Sequence, residues 1–176
     1  QRQIIHETAS IGEPKVESAG RAVARLNPHV SVETHRVRMD ASNARSLVAG
    51  YDIVADGSDN FETRYALADA CMAERKPLVH GGMNGMEGQL TTMIPGRTPC
   101  VECLVPETPD WWDPAGFGVL AAVPGCLGNL MALEAIKVIT GFGEPLAGIM
   151  LTMDLEVGTF GRYSVSRRAD CPVCGG

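Results

Sequence analysis

The sequence predicts an α/β fold whose sheet is mainly parallel and becomes mixed toward the C-terminus, stapled by a structural zinc ion. Three observations predict it. Helical and strand patterns alternate from the start of the chain to about Gly81, the signature of a parallel sheet with helices on its faces. Gly88 to Ile94 and Ile149 to Val165 then look like strands in hairpin or edge pairings, which makes the sheet mixed. Finally, two Cys-x-x-Cys pairs, Cys100 with Cys103 and Cys171 with Cys174, stand on turns shaped by Pro99, Pro172 and Gly175-Gly176.

The elements follow in order. Gly12-Glu13-Pro14 opens a helix that runs to about Leu26, with Val16, Ala19, Val23 and Leu26 on one face. Asn27-Pro28 ends it. Val30 to Val37 alternates as a half-buried strand does. A short helix is expected around Ser42 to Ala49, a strand from Tyr51 to Ala55, a helix from Phe61 to Arg75 and a strand from Pro77 to Gly81. Residues 105–117 contain Trp111-Trp112 and no periodicity, so they form a long crossing loop of the kind that often carries function. Val119 to Ile139 is the longest apolar stretch, but Pro124, Asn129, Glu134 and Lys137 interrupt it. That pattern fits a buried or interface helix better than a membrane span, and it offers a surface for a homodimer.

Composition narrows the function. The chain has 176 residues, 45% hydrophobic and 20% charged, with a net charge of -6. That is a globular balance with enough length for a core. No basic run exists to neutralise phosphates, so nucleic acid is not an expected partner. No targeting segment is visible, which points to the cytoplasm and against a membrane.

Four thiolates in two knuckles close a tetrahedral zinc site and leave no open position for catalysis. A disulfide framework fits poorly in a chain without a secretory signal. A single Cys-x-x-Cys is also compatible with redox chemistry or chance, whereas two such pairs favour zinc. Cys71 and Cys126 lie in apolar helical contexts and are expected to be small buried hydrophobes.

Ligands of an open α/β sheet bind at the carboxyl ends of its strands. Asp56-Gly57-Ser58-Asp59-Asn60 sits at such an end. Asp59 has two readings, a magnesium ligand near phosphates or part of a helix cap, and Asn60 is placed to cap the following helix. Lys15, in the first turn of its helix, opposes the helix dipole, a small cost that a bound anion would offset. Taken alone it reads more readily as a solvated lysine, and Arg2 alone reads as a surface arginine.

Together these blocks resemble the ThiF/MoeB/HesA family of E1-like enzymes. Gln1-Arg2-Gln3 with His6 resembles the end of the family's Asn-Leu-x-Arg-Gln segment. Gly12-Glu13-Pro14-Lys15 through Ala19 resembles its Gly-x-x-Lys-x-x-x-Ala helix, and Leu26-Asn27-Pro28 its Leu-Asn-Pro. Asp56 to Asn60 with Arg64 resembles its Asp-x-x-Asp-Asn-x-x-x-Arg. Gly88-Gln89 matches its Gly-Gln strand, and the four cysteines match its zinc knuckles.

The resemblance implies a single Rossmann-like E1 domain over residues 1–176. It implies ATP-dependent adenylation of the C-terminal glycine of a ubiquitin-like sulfur carrier ending in Gly-Gly, of the molybdopterin or thiamin type. Arg2, Lys15 and Asp59 would be catalytic. Arg2, Gln3, Lys15, Asp59, Asn60 and Arg64 would hold ATP and Mg²⁺, and Cys100, Cys103, Cys171 and Cys174 would hold a structural Zn²⁺. The crossing loop would pass over the carrier's tail.

Two departures qualify that picture. The family's first strand, glycine loop and ribose-binding acid do not precede Gln1, so the domain is expected to be N-terminally incomplete, the missing segment coming from a longer protein or a second polypeptide. The crossing loop has no cysteine, so no thioester or persulfide is expected on this chain. The other readings are a non-catalytic or split module that binds a ubiquitin-like partner, and adenylation of another carboxylate or a tRNA base.

Overall fold

A computed structural model describes residues 3–113 and 118–175. The chain divides into two compact units, residues 1–38 and 39–176.

Among the described residues the first unit holds a short 3-10 turn, Thr8–Ser10, and one α-helix, α1 (Lys15–Leu26). Pro14 stands just before it with φ −59°, already set for helix entry. Glu17 in the first turn and Arg25 in the last complement the helix dipole. The helix buries Ser18 and Ala22, with Val16, Ala19 and Val23 half-buried, while Leu26 is 80% exposed. The apolar face is thus rotated from the expected one and loses its last member. His6 Nδ1 lies 3.0 Å from Ser18 Oγ, and Arg21 pairs with Glu13 and Arg25 with Glu7. The strand expected at Val30 to Val37 is not there. Those residues join no ladder among the described residues, and Val30, Val32 and Val37 remain exposed. Alternation prepares a strand, but only a neighbouring edge supplies its hydrogen bonds.

The second unit is a five-stranded mixed sheet with strands in sequential order. β1 (Val54–Asp56) pairs in parallel with β2 (Leu78–Asn84). β3 (Glu87–Met93), β4 (Ile149–Asp154) and β5 (Thr159–Ser164) follow in antiparallel order. The mixed sheet matches the expectation; its parallel pairing is that of β1 with β2, beside an isolated parallel bridge between Thr92 and Ala147. The helices are α2 (Ala44–Ala49), α3 (Phe61–Ala73), α4 (Val101–Leu104) and α5 (Ala122–Thr140).

Strand alternation divides the core. Leu78 and Met93 face α2 and α3, joining Val48, Leu67 and Cys71. Val79, Leu90 and Met153 face α5, joining Leu127 and Met131. The approach of α5 is close. A Cβ built on Gly81 would stand 2.5 Å from Met131 Sδ, so any larger residue there would have to displace the Met131 side chain. Glu134 fixes the helix further. It is 2% exposed and accepts from Thr92 Oγ1 at 2.6 Å, the Leu146 N–H at 2.7 Å and Lys137 Nζ at 2.6 Å.

By length and composition α5 is apolar enough to cross a membrane. Here it packs on the sheet, while Leu133, Ile136 and Ile139 on its other side are more than half exposed.

Candidate functional site

The four cysteines converge. Cys100 and Cys171, 71 positions apart, bring their sulfurs to 3.5 Å, and Cys103 and Cys174 to 3.3 Å. Within each pair the separations are 4.0 and 3.8 Å. All four sulfurs lie within 4.8 Å of one another. A zinc tetrahedron with Zn–S bonds of about 2.3 Å has edges of about 3.8 Å, so the donor set fits that ion. A disulfide, at about 2.0 Å, does not describe these contacts.

The surroundings treat the sulfurs unequally: burial and neighbouring thiols push the Cys100 and Cys103 thiols up, while donors reach Cys103 and Cys171. The Arg168 N–H donates to Cys103 Sγ at 3.3 Å. Burial pushes the Cys171 sulfur up, but the N–H groups of Cys174 and Val173 and the neighbouring thiols donate to it and bring it down to about 6. The other two cysteines are separate. Cys71 is fully buried, and desolvation pushes its thiol up to about 12, while Cys126 packs half-buried against the α5 core.

The turn after β1 is the second centre. Asp56 is 1% exposed, and each of its carboxylate oxygens is used. Oδ1 accepts the Ser58 N–H at 2.9 Å, and Oδ2 lies 2.8 Å from Nδ1 of the buried His80 on β2. Burial pushes this carboxyl up, but the bond and charge of His80 outweigh it and hold Asp56 below the usual range. Asn60 caps α3, its Oδ1 accepting the Thr63 N–H at 2.8 Å, as the sequence indicated. Its Nδ2 lies 3.4 Å from Oδ1 of the exposed Asp59.

Arg64 closes the turn from the helix side. Only 4% exposed, it donates from Nε and Nη2 to the Ser58 carbonyl at 3.3 and 2.9 Å. Its guanidinium lies 4.9 Å from the Phe61 ring centre and 5.2 Å from that of Trp112. Phe61 and Trp112 meet edge to face at 5.2 Å. The Tyr65 hydroxyl donates to the Val105 carbonyl at 3.0 Å. The first part of the crossing loop is therefore fastened to α3, with Trp112 packed and Trp111 63% exposed. Residues 114–117 of that loop lie outside the described residues.

Beside this stack opens a groove of about 730 Å³, within the usual range of about 300–1,000 Å³ for ligand clefts. Its floor includes Gly82, Gln89, Thr152 and Gly161, four residues directly in register across β2 to β5. Trp111, Trp112 and Tyr163 line it as well. The indole N–H of Trp112 is buried and has no acceptor among the described residues.

Of the residues expected to hold the nucleotide, Asp59, Asn60 and Arg64 stand together at this turn. In the first unit, Lys15 Nζ donates to Gln3 Oε1 at 3.0 Å, which brings that pair together on the exposed start of α1. Arg2 lies outside the described residues. The motif reading passed over His80, whose only signal was a histidine in an apolar strand. It also passed over the Arg64–Trp112 stack, which joins residues far apart in the chain.

A strand-end turn, a neighbouring groove and a four-cysteine centre thus occur together in one α/β unit with a mixed sheet. The ThiF family model matches residues 1–173. Curated relatives agree. Protein HesA of Nostoc sp. is 45% identical over 174 residues, which cover 99% of this chain and 69% of that protein. The SAMP-activating enzyme E1 of Haloferax volcanii is 47% identical over 178 residues, 99% of this chain and 66% of that protein. The sulfur carrier protein adenylyltransferase of Thermus thermophilus is 40% identical over 186 residues, 99% of this chain and 67% of that protein. Among solved structures, E. coli MccB with ATP superposes with a TM-score of 0.83 at 21% identity, covering 99% of this chain and 55% of that one; at that identity the likeness shows a shared fold. The chain belongs to the ThiF family. It spans about two thirds of the length of these curated relatives and about half that of the solved structure.

Proposed function

We propose that the protein adenylates the C-terminal glycine carboxylate of a ubiquitin-like sulfur carrier, with ATP as the second substrate. One observation carries this reading: Arg64, which clasps the Asp56–Asn60 turn at the carboxyl end of β1, also lines a groove with a glycine-bearing floor and a buried indole N–H that has no acceptor among the described residues. An extended Gly-Gly tail brings little side-chain bulk and a row of carbonyl oxygens. A buried donor without an acceptor costs about 1–3 kcal/mol, which an entering carbonyl relieves. The names of the Haloferax and Thermus relatives support the same substrate class.

In the reaction the tail carboxylate attacks the α-phosphorus of ATP, an acyl-phosphate bond forms and pyrophosphate leaves. Negative charge accumulates on the phosphoryl oxygens, so fixed cations and oriented donors lower the barrier. Arg2, Gln3 and Lys15 bind the phosphates in this account. Asp59 would hold Mg²⁺, whose chemistry is to neutralise phosphate charge, with Asn60 beside it in the nucleotide site. Arg64 contributes from beneath, since it is buried and bonded to the Ser58 carbonyl. The zinc site is structural, tying the start of α4 to the C-terminal knuckle.

Residues 1–176 act as one E1-like domain, a reading that the family match over 1–173 supports. The exposed Leu133, Ile136 and Ile139 of α5 support a homodimer, and the protein works in the cytoplasm without a membrane.

The test is ATP–pyrophosphate exchange by the full-length protein. Exchange that requires a Gly-Gly-ended carrier bears the proposal out. Exchange that persists with a carrier lacking its last two residues overturns it.

A further inference from the structure

We infer that His80 is a positioning residue for adenylation, acting through Asp56 to fix the turn that presents Asp59; this rests on the adenylation reading above. Asp56 and His80 are register partners across the parallel β1–β2 pair. Asp56 is the last residue of β1, so its carboxylate governs how the chain leaves the sheet. His80, 4% exposed, places Nδ1 2.8 Å from Asp56 Oδ2. That bond leaves Asp56 Oδ1 directed at the Ser58 N–H.

Ser58 is consequently held on both sides of its backbone. Asp56 takes its N–H, and Arg64 donates twice to its carbonyl. Asp59 is the next residue, and Asn60 after it is fixed by the α3 cap. The exposed Asp59 thus owes its place to a clamp whose inner jaw is the Asp56 carboxylate. Gly57, the residue bridged by that jaw, has open space around it and adds no packing of its own. Without a donor at position 80, the carboxylate has a buried oxygen with no partner, and its orientation toward Ser58 is no longer enforced.

A loosened turn changes how well Asp59 meets the reacting phosphate more than whether ATP binds. A misplacement of about 1 Å at a reacting centre costs about 100-fold in rate. The expected signature is a kcat effect.

The experiment compares three variants of the full-length protein in carrier-dependent ATP–pyrophosphate exchange. His80→Leu removes the donor. His80→Asn puts an amide N–H close to where Nδ1–H stands, and His80→Gln places it farther out. His80→Leu is expected to lower kcat about 10- to 100-fold with KM for ATP changed less than about twofold. His80→Asn should recover most of that loss and His80→Gln should not. If His80→Leu does not fold, the contrast between Asn and Gln decides alone. Equal activity in Asn and Gln, or a loss confined to KM, overturns the inference while the adenylation reading stands. No exchange by the unaltered protein overturns that reading and this inference with it.

Discussion

Replacing Arg64 with methionine keeps the buried apolar stem and removes the guanidinium, so it isolates what the charge holds. Two donations to the Ser58 carbonyl are lost; hydrogen bonds from a charged group contribute about 1.5–3 kcal/mol. Stacking against Phe61 and Trp112 is lost too, at about 0.5–2 kcal/mol in such partly desolvated settings. One term opposes these. Burial disfavours the charged guanidinium and pulls its pKa down, partly offset by Asp56 and Asp59, and methionine carries no such cost. The balance is a destabilisation of about 2 kcal/mol. For a chain of this length, that lowers Tm by about 4–8 °C. Thermal unfolding followed by both far-UV circular dichroism and tryptophan fluorescence measures it. The fluorescence of the folded variant should also shift, because Trp112 loses its neighbour. A variant with unchanged Tm and unchanged native fluorescence would refute the argument that Arg64 joins the turn to the crossing loop.

Further predictions follow from other parts of the molecule. Metal analysis should find one zinc per chain; Cys103→Ser or Cys174→Ser should lose it, and activity should fall only as the fold melts. Asp56→Asn should flatten the acid limb of stability: the folded carboxyl is held below its ordinary value, so its contribution is complete above pH about 4 and is lost as pH falls through the folded value. Stability measured from pH 7 to pH 2 tests this, and an unchanged acid limb contradicts it. Ile136→Asp should shift the protein from dimer to monomer in light scattering without loss of secondary structure, because Ile136 is 52% exposed on the outer face of α5.

Much of this architecture is legible from local pattern. The Asp-x-x-Asp-Asn run reads directly as a strand end followed by a helix cap, and Asn60 does cap α3. The cysteine pairs announce a shared centre because their chemistry has few alternatives. What escapes is whatever depends on a distant partner. Val30 to Val37 has the right alternation, yet no strand forms among the described residues, since pairing needs an edge that a local pattern does not supply. Leu26 has helical spacing but stays 80% exposed, because spacing names a face and not what covers it. The His80–Asp56 bond and the Trp112 stack join positions 24 and dozens of residues apart, so no window along the chain contains them.

The central claim is adenylation at the Asp56–Asn60 turn, and Asp59→Ala tests it most directly. Asp59 is exposed, so its removal should leave Tm within about 1 °C. Carrier-dependent pyrophosphate exchange should nevertheless fall by at least about 100-fold. Exchange at the level of the unaltered protein, with the fold intact, would contradict the account.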